Sequence, residues 1–191
     1  MSINKDKVKE VILENQRFAQ SVRLVRRSIK IQPNFNYIFV GIRRAGKSFY
    51  LFQCIHDLLA DGHKIEEILY FNFEDDRLDG IELADLDLLL QCYGEMFSHK
   101  PFVFLDEIQN VVGWEKFARR LADNKYSVFI TGSNAKMLSK EMATVLGGRF
   151  LVQNVFPFSF AEHLSLNGIT TDPVSLIRSK NEIVREFETY F

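Results

Sequence analysis

The chain has 191 residues, 47% of them apolar and 26% charged, which is enough apolar material for one sizeable core and too much for a disordered segment. Its 24 Lys and Arg against 25 Asp and Glu leave a net charge of −1, which disfavours a globally basic nucleic-acid binder. Two cysteines, Cys54 and Cys92, lie outside any CxxC or Cys/His cluster and exclude a disulfide framework. No apolar run reaches the length of a membrane span, and MSINKDKVKEVILENQ lacks the apolar core of a signal peptide, so the expected setting is the reducing cytoplasm. The net charge conceals an asymmetry: residues 1–50 carry +8 and residues 51–100 carry −9. Either the positive segment faces an anion, or the two stretches neutralise each other across one globule.

Taken in chain order, Val8, Val11 and Ile12, then Phe18, Val22 and Val25, recur at helical spacing and predict a helix or pair of helices that stops near Pro33. Tyr37-Ile38-Phe39-Val40 reads as a buried strand ending at Gly41. A helix from about Lys47 should bury Leu51, Cys54, Ile55 and Leu58 and close near Gly62. Ile68–Phe73 is a second strand, and Leu83, Leu86, Leu90, Tyr93 and Phe97 mark another helix. Strands over Phe102–Leu105, Tyr126–Ile130 and Phe150–Val155 follow, separated by helices over 114–123 and 135–146. Strands alternating with helices mean parallel units covered on both faces, so the fold class is α/β.

Gly41 to Ser48, GIRRAGKS, fits the pattern GxxxxGK[ST] and lies between a strand and a helix, as a phosphate-binding loop must. Glycines let successive N–H groups turn toward phosphate oxygens, and the helix N-terminus adds partial positive charge. Lys47 is expected to bridge the β- and γ-phosphates and the Ser48 hydroxyl to ligate Mg²⁺. The candidate nucleotide-contacting set is Gly41, Ile42, Arg43, Arg44, Ala45, Gly46, Lys47, Ser48 and Phe49. For Arg43 and Arg44 three readings stay open: phosphate contact, contact with a partner subunit or nucleic acid, and a solvated face.

Phe102-Val103-Phe104-Leu105 is followed by Asp106 and Glu107. A strand this apolar is buried on both faces, so its tip opens where such sheets bind ligands. Asp106 is expected to hold Mg²⁺ and Glu107 to polarise an attacking water, a pairing that suits hydrolysis more than transfer to an organic acceptor. The strand ending at Ile130 leads into Thr131-Gly132-Ser133-Asn134, where Ser133 first and Asn134 second are candidates to sense the γ-phosphate; capping the next helix is the competing role. Arg149, after Gly147-Gly148, is either an arginine finger for a neighbouring subunit or a member of a surface ion pair. Phe156-Pro-Phe-Ser-Phe160 reads as core or interface, Trp114 as a packing anchor, and Arg23, Arg26, Arg27 and Lys30 as a basic patch that is either a solvated face or a contact for DNA or RNA. The four histidines lack ligand spacing, which argues against zinc.

GIRRAGKS at 41–48, FLDEIQNVVGWEKFARRL at 104–121, ITGSNAKML at 130–138 and LGGRFLVQNVFPFSFAEHL at 146–164 together resemble the AAA+-like P-loop ATPases, and more narrowly the bacterial and archaeal predicted ATPases of the AAA_14 type. The resemblance implies a P-loop NTPase three-layer α/β/α sandwich with a five-stranded parallel sheet of order 5-1-4-3-2. It further implies ATP with Mg²⁺, and homo-oligomers in which a neighbour completes the site. It assigns Lys47, Ser48, Asp106 and Glu107 the roles given above, with Ser133 as sensor and Arg149 as finger. The AAA+ lid and its second sensor arginine are not recognisable after residue 165.

The expected organisation is a helical segment over 1–33 packed on the core, an ATPase core over 34–160, and a short helical extension over 161–191 that could begin a second domain. Ile183, Val184, Phe187 and Phe191 form an apolar stripe there that needs cover. The expected function is Mg²⁺-dependent ATP hydrolysis by an oligomer that drives conformational change in an unknown protein partner. A nucleotide-gated binding module with little turnover and a nucleic-acid-associated factor are the alternatives.

Overall fold

The computed structural model describes residues 4–28, 31–32, 34–133, 145–170 and 172–190. In chain order its main elements are α1 (Lys5–Ser21), β1 (Asn36–Val40), α2 (Lys47–Ala60), β2 (Ile68–Asn72), α3 (Leu86–Met96), β3 (Phe102–Asp106), α4 (Trp114–Asp123), β4 (Ser127–Gly132), β5 (Phe150–Asn154), α5 (Phe160–Leu166), α6 (Pro173–Arg178) and α7 (Lys180–Tyr190). The five strands form one sheet of order β2-β3-β4-β1-β5 with every neighbouring pair parallel. Asn134 and most of the helix expected over 135–146 lie outside the described residues.

Alternation along the strands sorts the apolar side chains into two layers. Tyr37, Phe39, Tyr70, Phe104 and Phe129 face α2, while Ile38, Val40, Leu69, Phe71, Val103, Leu105, Val128 and Ile130 face α3 and α4. The high phenylalanine content is used partly as a stacked row across neighbouring strands, with Phe104 and Phe129 ring centroids 4.6 Å apart and Tyr37 and Phe129 5.8 Å apart. Trp114 is buried in the second layer, as its expected anchoring role requires.

The free edge of β2 is closed by α1. The side-chain amides of Asn15 and Gln16 donate to the carbonyls of Tyr70 at 3.0 Å and Ile68 at 2.9 Å, so the edge is capped by side chains where another strand would otherwise pair. The second helix expected through Val22 and Val25 does not form. The chain turns extended at Val22, and Gln53 takes both backbone groups of Arg27 instead, accepting from its N–H at 2.8 Å and donating to its carbonyl at 2.9 Å.

Part of the charge asymmetry is neutralised by pairing between the two stretches: Lys5 and Lys9 meet Glu95, Arg26 meets Asp57, and Arg43 lies 3.7 Å from Glu74. After β5 the burial thins. Helices α6 and α7 bury no residue, and Val184 and Phe187 stand half-exposed, although Phe187 meets the Phe160 ring edge-on at 5.3 Å. Among the described residues no helix is long and apolar enough to cross a membrane.

Candidate functional site

The loop between β1 and α2 is shaped by two glycines. A Cβ on Gly41 would meet the Val155 carbonyl oxygen at 2.1 Å, so only glycine lets the loop and the exit of β5 run this close. Gly46 takes a φ of 88° and opens α2 without a side-chain cap, leaving the first-turn N–H groups for a ligand. Arg44 also adopts a left-handed φ, 64°. Ile42, Arg43 and Arg44 are exposed on the outside of the loop, Ala45 is buried beneath it, and Phe49 projects from the first turn of α2. Lys47 is buried, and its Nζ donates to the Ile42 carbonyl at 3.2 Å and lies 3.3 Å from Glu107 Oε1.

Register brings the second half of the site together. Leu105 pairs with Ile130, so the next residues, Asp106 and Thr131, come side by side at the strand tips. Asp106 is 1% exposed, accepting from the Tyr70 hydroxyl at 2.8 Å, from the Thr131 hydroxyl, and from Ser48 at the start of α2. Burial pushes its carboxyl above the usual range even against those three donors. Hydroxyl and carboxylate together offer hard oxygen ligands, and the burial that disfavours the lone anion is offset by a divalent cation. Ser48 and Asp106 therefore fit Mg²⁺, which takes few protein ligands and shares the phosphates. The described residues contain no cluster of three His, Cys, Asp or Glu that would suggest another metal.

Glu107 leaves β3 with a left-handed φ of 52°, a conformation that costs on the order of 1–3 kcal/mol for a non-glycine residue. Thr131 helps hold it there, its Oγ1 accepting the Glu107 N–H at 2.9 Å while the same hydroxyl donates to Asp106. The carboxylate is 8% exposed as a residue and faces Lys47 through Oε1; Oε2 accepts from Ser133 Oγ at 2.8 Å and from Gln109 Nε2 at 2.5 Å. Burial raises its pKa, but Gln109, Ser133 and Lys47 outweigh burial and keep it below the ordinary carboxylate range, so Glu107 stays ionised. Gln109 Oε1 is buried and has no hydrogen-bond partner, a deficit worth about 1–3 kcal/mol.

Lys47, Ser48, Asp106, Glu107 and Ser133 thus converge, and Arg149 does not join them. It precedes β5, whose Phe150 pairs with Asn36 at the start of β1, so Arg149 sits at the opposite end of the sheet from the loop. Five residues of strand separate the two ends, about 16 Å. There its Nε lies 2.5 Å from Asp123 Oδ1, the surface ion pair that was its alternative reading.

Sequence reasoning missed Thr131, Tyr70 and above all Arg27. Far from being part of a solvated patch, the Arg27 side chain is 9% exposed. It pairs with both Glu162 oxygens at 2.7 and 3.1 Å and donates to the carbonyls of Ala45 at 3.3 Å and Phe156 at 2.8 Å. Its guanidinium carbon lies 4.9 Å from the Tyr50 ring centre and 5.0 Å from that of Phe158. Its neighbour Arg26 is tied to Asp57, and Lys30 lies outside the described residues. The 156–160 aromatics are not part of the sheet core either: Phe156 is 70% exposed where the chain leaves the sheet, Phe158 lies on Arg27, and Phe160 packs against Phe187 and Tyr190. Beside the loop these residues line a cavity of about 140 Å³ whose walls include Arg23, Val25, Phe49, Tyr50, Gln53 and Phe158.

The family model described as an AAA domain, AAA_14, matches residues 34–164. An uncharacterized protein of Methanocaldococcus jannaschii, MJ1544, is 38% identical over 185 residues, covering 92% of this chain and 41% of its own length. An uncharacterized protein of Haemophilus influenzae is 36% identical over 160 residues, covering 82% of this chain and 39% of its own. The chain therefore spans about two fifths of the length of these curated relatives. A crystal structure of Cdc6p from Pyrobaculum aerophilum aligns with a TM-score of 0.45 and 16% identity, covering 84% of this chain and 46% of that one. With a family match over most of its length, on the segment that carries the loop, the paired acids and all five strands, the chain belongs to the AAA_14 family and is an AAA+-like P-loop ATPase domain.

Proposed function

We propose that this domain binds ATP with Mg²⁺ and hydrolyses it, as a homo-oligomer whose turnover drives conformational change in a protein partner. The observation that carries this reading is the ionised, buried Glu107, held between Lys47 and Ser133 at the mouth of the phosphate loop. On nucleotide binding Lys47 turns from Glu107 to the β- and γ-phosphates, and the loop N–H groups take the remaining phosphate oxygens. Ser48 and Asp106 would hold Mg²⁺, which would supply charge neutralisation at the phosphates. Glu107 Oε1, freed from Lys47, accepts a proton from the attacking water. The water oxygen bonds to the γ-phosphorus, the bond from that phosphorus to the β–γ bridging oxygen breaks, and its electron pair leaves with ADP. Ser133 keeps the carboxylate aimed and lies where the γ-phosphate arrives.

The cavity beside the loop supports a seat for the base, between the extended 23–27 segment and Phe158. Arg149 is too far to act on its own loop, which favours action on a neighbour's γ-phosphate; exposed Leu151 and Val152 beside it on the edge strand support a contact between copies. In a phosphate-release assay with ATP and Mg²⁺, Glu107→Gln should lower kcat by about 10²- to 10⁴-fold while nucleotide binding persists. Equal turnover in variant and wild type would overturn the hydrolytic reading, and intact ATP recovered after hours would favour a nucleotide-gated module.

A further inference from the structure

Asp106 is closed off from solvent, so its carboxylate depends on hydroxyls supplied by the fold. Three elements send one each: Tyr70 from β2, Thr131 from β4 and Ser48 from the first turn of α2. Thr131 donates to Oδ1, and Tyr70 donates to Oδ2 at 2.8 Å. With a hydroxyl fixed on each oxygen, the carboxylate cannot turn about its Cβ–Cγ bond without losing one of them. It therefore meets Ser48, the third donor, in a single orientation.

Tyr70 differs from the other two donors. Ser48 opens α2 behind the phosphate loop, and the Thr131 hydroxyl also receives the Glu107 N–H, whereas the Tyr70 hydroxyl serves Asp106 alone. Asn72 pairs with Asp106, so Tyr70, two residues earlier on β2, stands on the same face of the sheet and diagonal to the carboxylate. The residue that carries this hydroxyl is itself fixed. It is 4% exposed, it holds the Asn15 amide on its carbonyl at 3.0 Å, and its ring centroid lies 5.1 Å from that of Phe52. Phenylalanine, which this chain uses 18 times, would fill the same space and leave Oδ2 without that donor.

We propose that Tyr70 is a positioning residue of the metal site, its hydroxyl holding Asp106 Oδ2 so that the carboxylate is already oriented when a divalent cation arrives beside Ser48. This rests on the reading of Ser48 and Asp106 as the Mg²⁺ ligands. A group hydrogen-bonded to a metal ligand fixes the ligand's direction, and its removal costs about 10- to 100-fold in metal affinity or activity. Tyr70 acts through Asp106, so its contribution belongs to the metal-loaded nucleotide and is absent when no metal is present.

The test uses the 191-residue chain and the non-hydrolysable β,γ-imido analogue of ATP, whose affinity is measured with Mg²⁺ and again with EDTA. Tyr70→Phe removes the hydroxyl and keeps the ring. Tyr93→Phe, which takes a hydroxyl from the Glu66 carbonyl, is the control for losing a buried hydrogen bond elsewhere. Tyr70→Phe should weaken binding of the Mg²⁺ complex by about 10-fold, with metal-free affinity within about twofold of wild type and Tyr93→Phe matching wild type in both. If Asp106→Asn abolishes the gain from Mg²⁺ while Tyr70→Phe keeps it in full, the proposal fails and the metal reading stands. A lower melting temperature with both affinities unchanged would make the hydroxyl structural only, and an equal loss of both affinities would mean a disturbed phosphate loop; either overturns the proposal. If Mg²⁺ does not strengthen binding in wild type, the metal reading and this inference fall together.

Discussion

The two ends of the sheet treat charge in opposite ways. At the carboxyl end, where β1, β3 and β4 finish, Lys47, Asp106 and Glu107 are each less than a tenth exposed and are bonded to one another or to Tyr70, Ser48, Thr131 and Ser133. At the amino end, the Arg149 guanidinium is held by an exposed pair with Asp123 and a long contact of 3.4 Å to the Gly147 carbonyl, on a surface where water competes. On the function proposed above, groups that work within their own subunit are desolvated and fixed in advance, whereas an arginine that reaches another subunit has to be held weakly enough to let go.

Arg149→Ala gives the sharpest test of this contrast. If Arg149 serves a neighbour, kcat falls by about 10³-fold or more, and mixing this variant with Glu107→Gln restores part of the rate, since each supplies what the other lacks. No recovery in the mixture would remove the action of Arg149 on a neighbouring subunit. Thr131→Val comes next. It keeps the shape of the side chain but takes the hydroxyl from both Asp106 and the Glu107 N–H, and should cost about 2–3 kcal/mol in chemical denaturation. A loss below about 0.5 kcal/mol would mean that the carboxylate end is less tightly built than its hydrogen bonds imply. Asp123→Ala should change stability least, by no more than about 1 kcal/mol, because it breaks only an exposed pair. A larger loss would show that Arg149 is anchored and unsuited to reach across.

Much of the carboxyl end was legible because its signals are local. The phosphate loop is eight consecutive residues, and Asp106 and Glu107 directly follow four apolar ones, so strand, tip and acids can be read in a single window. What escaped depends on register or on distant partners. Thr131 matters because Leu105 pairs with Ile130, and Tyr70 because its strand lies beside β3; neither follows from composition. Arg27 looked like a surface charge because its partners Gln53, Phe156 and Glu162 are 26 to 135 residues away. The helical spacing of Val22 and Val25 misled for the same reason, since the backbone there bonds to a side chain and not to itself. Gln109 lies in one of the segments that carry the family resemblance, yet only the structure shows its Nε2 on Glu107.

The close approach at Gly41 has a mechanical consequence. Val40 and Val155 share a backbone hydrogen bond of 2.7 Å, the Gly41 and Val155 backbones leave no room for a methyl group between them, and Arg27 bolts Ala45 to Phe156 and to Glu162. The front of the phosphate loop and the root of α5 are thereby riveted into one piece, although more than a hundred residues of chain run between them. Whatever displaces the loop displaces that root, so the helices that follow it stand on a footing that moves with the nucleotide pocket.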